Sequence, residues 1–280
     1  MSNAADTGLF ELRRSVEAWL VEFGLTESLA SSIEVSSAWA SSSSPRSLVE
    51  DRCLAALDMV LWLFSIDDYD GPDPSAFVRR CRAQLEGAAP GQGAGARARH
   101  ALVESLRARG RPLERYLASR VRYAEAIERR LHYGREVSVR PSFEEYLELR
   151  RSTIYVEQWI ELWDVLMGWE LMIHRQRQPS MRLAESAIRD WNIFYNELRS
   201  LSRDRSSGTP NLVDLWPTGI GNLEDRARAA SEAYDRLRDV LWQDDRVPRG
   251  YIELLDRCRS GVDQAAVELI GRYDVLPTNG

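Results

Sequence analysis

The chain has 280 residues, 44% of them hydrophobic, with a formal charge of -6 and a pI near 5.4. That length and apolar content suffice for a sizeable core in one large domain or two small ones, and the acidic balance argues against a nucleic-acid partner, which would call for a basic face. No stretch approaches the roughly eighteen uninterrupted apolar residues of a membrane span, and no basic n-region precedes an apolar h-region, so a cytoplasmic protein is expected. Small molecules are the expected partners, and a homodimer is left open.

Leu9, Leu12, Val16, Leu20 and Phe23 recur at helical spacing, with Gly24 as a stop signal. A second helix is expected from Thr26 to about Trp39, then a polar break at Ser41 to Ser44, with Pro45 opening a long helix from Ser47 to Ile66. Pro74 to Leu85 reads as a helix. The Gly-rich run Gly87 to Gly95 lacks a Gly-Lys-Ser/Thr ending and a preceding strand, so it reads as a connector and not a phosphate loop. Arg97 to Arg107 and Pro112 to Arg135 follow as helices. Ser142-Phe143-Glu144-Glu145 has the form of a capping box, opening a helix expected to continue to about His174 and to be apolar nearly all round over Val156 to Met172. Met181 to Asp204, Leu223 to Trp242 and Gly250 to Tyr273 complete an all-α chain. No change of composition marks a boundary, so a single helical bundle over residues 1–280 is expected, with short tails at 1–7 and 275–280.

The chemistry concentrates in two places. The apolar run Leu61 to Ile66 stops abruptly in Asp67, Asp68 and Asp70. Clustered carboxylates at the end of an apolar helix need a compensating charge, and a hard divalent cation supplies one while keeping positions open for phosphate oxygens; a solvated helix end before Gly71 and Pro72 is the plainer alternative. Further on, Asn196, Ser200 and Asp204 recur every four residues and share one helix face, a plausible oxygen-ligand set, although any exposed face shows polar residues at that interval. Cys53, Cys81 and Cys258 are odd in number and have no metal spacing, which fits a reducing setting. The three histidines lack an acid partner at helical spacing, and no Gly-x-Ser-x-Gly suggests a hydrolase.

The segment Asn196 to Gly208 followed by Asn211-Leu212-Val213 resembles the second metal motif of class I terpene synthases, Asn-Asp-x-x-Ser-x-x-x-Glu, with Glu197 in place of the Asp and Asp204 in place of the last Glu. A register starting at Asn192 has no terminal acid. The acidic cluster is similar to that family's Asp-Asp-x-x-Asp, with the third acid one residue early. Arg150-Arg151-Ser152-Thr153-Ile154-Tyr155 is similar to its Arg-Arg-x-Thr-x-Gly, and Arg272-Tyr273 to its C-terminal Arg-Tyr pair. Tyr155 stands where the family has Gly, which speaks against a helix break there.

The resemblance covers nearly the whole chain. It implies a class I terpenoid synthase bundle around a central cavity, and three Mg2+ ions held by Asp67, Asp68 and Asp70 on one side and Asn196, Ser200 and Asp204 on the other. Arg150 or Arg151, Arg203, Arg272 and Tyr273 would donate to the diphosphate of a prenyl substrate. Counting back from Asn196 favours Arg150 as its sensor; the local pattern favours Arg151. Trp62, Phe64, Tyr155, Trp159, Trp163, Phe194 and Tyr195 form a pool of wall residues whose rings would stabilise a carbocation, with core packing the alternative for each. The departures at Asp70, Tyr155 and Asp204 tilt the expectation toward a twenty-carbon, geranylgeranyl-type diphosphate and a diterpene. Farnesyl diphosphate cyclisation, chain elongation and a non-catalytic binding protein of the same fold are the alternatives.

Overall fold

The computed structural model describes residues 3–27, 29–45, 47–67, 73–135, 141–216 and 220–260. Among them every regular element is helical: α1 (Asn3–Val21), α2 (Ala30–Ser43), α3 (Val49–Asp58), a π-helical stretch (Met59–Phe64), α4 (Ser65–Asp67), α5 (Pro74–Leu85), α6 (Ala94–Arg107), α7 (Glu114–Arg135), α8 (Phe143–Thr153), α9 (Val156–Met167), α10 (Leu171–Arg177), α11 (Pro179–Ser207), α12 (Leu212–Leu215) and α13 (Ile220–Trp242). A last helix, α14, covers 249–260. None of these helices is long and apolar enough to cross a membrane.

Several ends follow from local chemistry. Asp73 caps α5 by accepting from the Ala76 amide at 2.9 Å, with Pro74 at the first helical position. Ser142 and Glu145 make the expected reciprocal capping box on α8, which satisfies two amides that the helix itself cannot. Gly208 ends α11 in the left-handed conformation at φ 70°.

Of the polar break expected at Ser41 to Ser44, only Ser44 leaves the helix, with extended backbone. Helix α2 starts later, at Ala30, and runs through to Ser43. Ser42 returns its hydroxyl to the Ala38 carbonyl at 3.0 Å, an option that keeps serine helical once one face is buried by packing. Cys53 is half-buried and Cys81 and Cys258 are buried, all as free thiols; burial and the neighbouring Glu50 push the Cys53 thiol up to about 11.

The long helix expected from Ser142 to His174 is broken twice. At Tyr155 the backbone turns left-handed, φ 68°, between α8 and α9. The β-branched residues Thr153, Ile154 and Val156 weaken helix formation there, and Gln158, fully buried, donates its amide to the Ser152 carbonyl across the break at 3.4 Å and to the Ser119 carbonyl on α7 at 3.1 Å. The second break comes at Gly168, φ 64°, where a side chain would run into the Arg111 guanidinium. Asp164 then accepts from the Leu171 amide at 3.1 Å to start α10.

The break at Tyr155 is held from below by Asp58, whose side chain is entirely buried. Asp58 accepts from the Tyr116 hydroxyl at 2.6 Å, from the Tyr155 hydroxyl, and from the Arg120 guanidinium, which is itself completely buried and lies over both tyrosine rings. Burial beside that carboxylate raises both phenols far above their usual range, so they stay protonated and donate. Three helical segments, the end of α3, the first half of α7 and the α8–α9 junction, are pinned at this one carboxylate. Asp58→Asn leaves the Arg120 charge without its partner, and urea unfolding is expected to show a loss of about 3 to 5 kcal/mol, the scale for breaking a buried ion pair; a loss under about 1 kcal/mol would mean that the pair is not what holds the junction.

Candidate active site

Two hydrophobic clusters divide the molecule. The larger spreads from α1 through α3, α6, α7 and α9 to α14, and the smaller lies under α8, α11 and α12, built on residues such as Phe143, Leu147, Trp191, Phe194 and Leu212. The smaller cluster sets α8 against the C-terminal half of α11, and this brings Arg150 onto the Asn196, Ser200 and Asp204 face.

Arg150 is 7% exposed. Its Nε donates to Glu197 Oε1 at 2.6 Å, its Nη2 to Asn196 Oδ1 at 2.7 Å and its Nη1 to the Thr153 hydroxyl at 3.0 Å. Glu197 reaches the other way as well, accepting from the Leu212 amide at 2.8 Å through its second oxygen, so this one carboxylate joins α8, α11 and the start of α12. Burial raises the Glu197 carboxyl above its ordinary value, outweighing the pull of Arg150 toward the charged form.

One turn further along α11, Ser200 donates to Asp204 Oδ2 at 2.5 Å, and Asn211 donates to the same oxygen at 2.9 Å and to the Glu197 carbonyl at 2.9 Å. Asn211 Oδ1 meanwhile accepts from the Val213 amide at 2.9 Å and caps α12. Arg203 donates to Asp204 Oδ1 at 3.0 Å. The three proposed ligands thus stand on one face with only oxygen donors. Asn196 Oδ1, which accepts from Arg150 alone, keeps a lone pair, whereas each Asp204 oxygen accepts twice, Oδ2 from Ser200 and Asn211 and Oδ1 from two nitrogens of Arg203, so a cation at Asp204 would take the place of one of those donors. This is a donor set that fits a hard divalent cation.

The remaining site residues fall as follows. Arg151, one residue from Arg150, points elsewhere: its Nη2 and Nε pair with Asp190 at 2.9 and 3.0 Å and its Nη1 with Glu148 at 3.3 Å. Asp67 closes α4; its side chain, with Asp68, Asp70, Arg272 and Tyr273, lies outside the described residues.

Of the aromatic pool, Trp159 and Trp163 meet edge to face at 5.8 Å and are fully buried, with the Trp159 indole donating to the Ser43 carbonyl at 3.4 Å. Trp62 lies under the Arg99 guanidinium and borders a cavity of about 150 Å³ shared with Gln84, Pro90, His100 and Leu117, framed by the connector that precedes α6. Tyr155 is committed to Asp58. Phe194 is buried in the smaller cluster, Tyr195 stacks on Trp191 at 5.0 Å, and Phe64 is half-buried against the larger core.

Glu197 and Asn211 entered the sequence only as a departure and a spacing match, yet they carry most of the hydrogen bonds that fix the ligand face. The cap preference of Asn before an apolar run was the readable signal for Asn211.

Superposition on known structures places this architecture. Linalool/nerolidol synthase from Streptomyces clavuligerus matches with a TM-score of 0.78 at 20% identity, over 92% of this chain and 98% of that one. An α-eudesmol synthase matches at 0.72 and 19%, over 92% and 94%, and germacradien-4-ol synthase from Streptomyces citricolor at 0.64 and 19%, over 97% and 96%. The fold is the helical fold of class I terpene synthases.

Within that class, the family model described as terpene synthase family 2, C-terminal metal binding, matches residues 58–241, and the chain belongs to this family. Epi-isozizaene synthase from Streptomyces coelicolor is 29% identical over 114 residues, a stretch covering 41% of this chain and 30% of that protein.

The raised Glu197 gives a pH signature. The folded state holds its proton more tightly than the unfolded chain does, so its contribution to stability falls as pH rises from the ordinary value of 4.5 toward its own. Glu197→Gln cannot titrate. In urea unfolding between pH 4 and 8, the variant is therefore expected to gain on wild type with rising pH, by about 1.4 kcal/mol for each unit that Glu197 is raised; a difference independent of pH would contradict the assignment.

Proposed function

We propose that the chain is a Mg2+-dependent class I terpene synthase that ionises a prenyl diphosphate and cyclises the resulting allylic carbocation. The observation that carries this reading is the single hydrogen-bonded unit of Arg150, Asn196, Glu197, Ser200, Asp204 and Asn211: a buried guanidinium joined to an all-oxygen ligand face. Asn196, Ser200 and Asp204 would hold one cation, and Asp67, Asp68 and Asp70 the others, three in all by the family resemblance. Bound there, Mg2+ would neutralise the charge that develops on the leaving diphosphate.

The chain's own groups do the rest. Arg150 orients the diphosphate by donating to its oxygens, and its placement on the ligand face supports it over Arg151 as the sensor. Arg203, Arg272 and Tyr273 are further donors in this proposal. Phe64 and Tyr195, the half-buried members of the aromatic pool, are the first wall residues to test, each worth about 0.5 to 2 kcal/mol to a passing cation.

The motif departures alone suggested a twenty-carbon substrate. The relatives lend that no support: the Streptomyces clavuligerus enzyme was solved with 2-fluorogeranyl diphosphate, a ten-carbon analogue. We therefore favour a shorter prenyl diphosphate, geranyl or farnesyl.

Purified protein with Mg2+ and geranyl, farnesyl or geranylgeranyl diphosphate, extracted and read by gas chromatography with mass detection, is expected to give a terpene from one of the first two. Absence of product from all three would remove the synthase reading. Arg150→Ala is expected to lower kcat/KM by about a hundredfold or more, the scale for a preorganised electrostatic contact, and Arg151→Ala by less than about threefold. Equal losses would reopen the choice of sensor. Asp204→Ala should match Arg150→Ala, while Asp204→Glu, which restores the residue of the family motif, should retain turnover.

A further inference from the structure

We propose that Tyr155 is a positioning residue for this reaction: its hydroxyl, bonded to Asp58, ties the helix break beside Arg150 to the helix that runs on to Asp67, and so sets the two sides of the diphosphate site against each other. The inference rests on the terpene synthase reading and adds a strut to it.

Tyr155 is one of two non-glycine residues with positive φ among the described residues. A bulky side chain in the left-handed conformation is unfavourable and persists only where its surroundings over-determine it. Here they do. The ring is buried, meets Tyr123 edge to face at 5.5 Å and lies under the Arg120 guanidinium at 4.9 Å, and the hydroxyl donates to the Asp58 carboxylate. Where the family pattern has Gly, which would make this turn freely, the chain has a side chain that anchors the turn to a neighbouring helix.

What the anchor joins is specific. Tyr155 follows Arg150 by five residues, and between them the Thr153 hydroxyl accepts from Arg150 Nη1. Asp58 is the last residue of α3; the π-helical stretch Met59–Phe64 begins at the next residue and α4 then ends at Asp67. The phenol–carboxylate bond is thus a direct link from the ligand face on α11, through Arg150 and the α8–α9 junction, to the root of the acid-bearing helix. Arg120 and Tyr116 also bind Asp58, but from α7, which packs beside this link and carries none of the proposed ligands.

Tyr116 therefore supplies the control. Tyr116→Phe and Tyr155→Phe each remove one phenol donor from the same buried carboxylate, so both are expected to lower the melting temperature. Only Tyr155→Phe severs the strut. In the full chain with Mg2+ and the substrate that wild type turns over, assayed well below both melting temperatures, Tyr155→Phe is expected to lower kcat by about ten- to a hundredfold, the scale for a misplacement of reacting groups. KM should change little and the half-saturating Mg2+ concentration should rise, while Tyr116→Phe stays near wild type on all three. Tyr155→Gly, which relieves the backbone and guards against a Phe variant that does not fold, is expected to show the same loss of kcat. Equal kcat losses in Tyr155→Phe and Tyr116→Phe, or full activity in Tyr155→Gly, would overturn the strut while leaving the synthase reading intact. No turnover by wild type would overturn both.

Discussion

A carboxylate removed from water must be answered in kind, and the answer that Asp58 receives organises the middle of the molecule. Desolvating an ion costs several kcal/mol, recovered only when good geometry and enough donors surround it. Asp58 collects a guanidinium and two phenols, from α7 and from the α8–α9 junction, and each of these donors is buried in turn. Such a set cannot be partly assembled without leaving a charge unmatched. It therefore selects one arrangement of helices with a sharpness that apolar contacts, which tolerate sliding, do not provide.

The face on α11 uses the same physics for a different end. Its charges are also matched internally, Arg150 by Glu197 and Asp204 by Arg203, Ser200 and Asn211, but Asn196 and Arg203 stay partly accessible where Asp58 is sealed. A ligand face that is already hydrogen-bonded needs little reorganisation when charge arrives, which is the condition under which electrostatic stabilisation is most effective. Glu197 is the hinge of the arrangement. It stands where the family motif has Asp, and its extra methylene accompanies a reach to both Arg150 and the Leu212 amide.

Much of this was open to reading. The capping box at Ser142, the span Pro74–Leu85 and the stripe Asn196, Ser200 and Asp204 follow from side-chain chemistry within a few residues, and local chemistry is what a sequence displays. The break at Tyr155 was not, because it depends on Asp58, ninety-seven positions away, and a residue's own preference says nothing of a partner supplied by another helix. Asp58 itself left a trace, a lone acid inside the apolar run Leu54 to Leu61, which signals a buried partner without naming it. Between Arg150 and Arg151, spacing and local pattern pulled apart, since adjacent helical residues point about 100° away from each other and only packing decides which one turns inward. Polar residues deceived at Ser41 to Ser43, where a run with the look of a loop remains helical, the Ser42 hydroxyl bonding back to the Ala38 and Trp39 carbonyls.

The π-helical stretch Met59–Phe64 lies between the sealed carboxylate and the acids that end the helix. A π turn holds more residues than an α turn, so such a stretch is an α-helix with a residue to spare. Losing one residue from this segment would let it relax to ordinary α geometry without breaking the helix, and because the residue lost is the spare one, the side chains beyond it would keep close to their direction around the axis. Asp67 would then keep its place relative to Asp58. In evolutionary terms the segment is a register buffer: a single-codon deletion there would preserve both the fold and the direction of Asp67, so relatives can differ in chain length between Asp58 and Asp67 without moving the acid, whereas the same deletion in a regular α turn would swing it by about 100°.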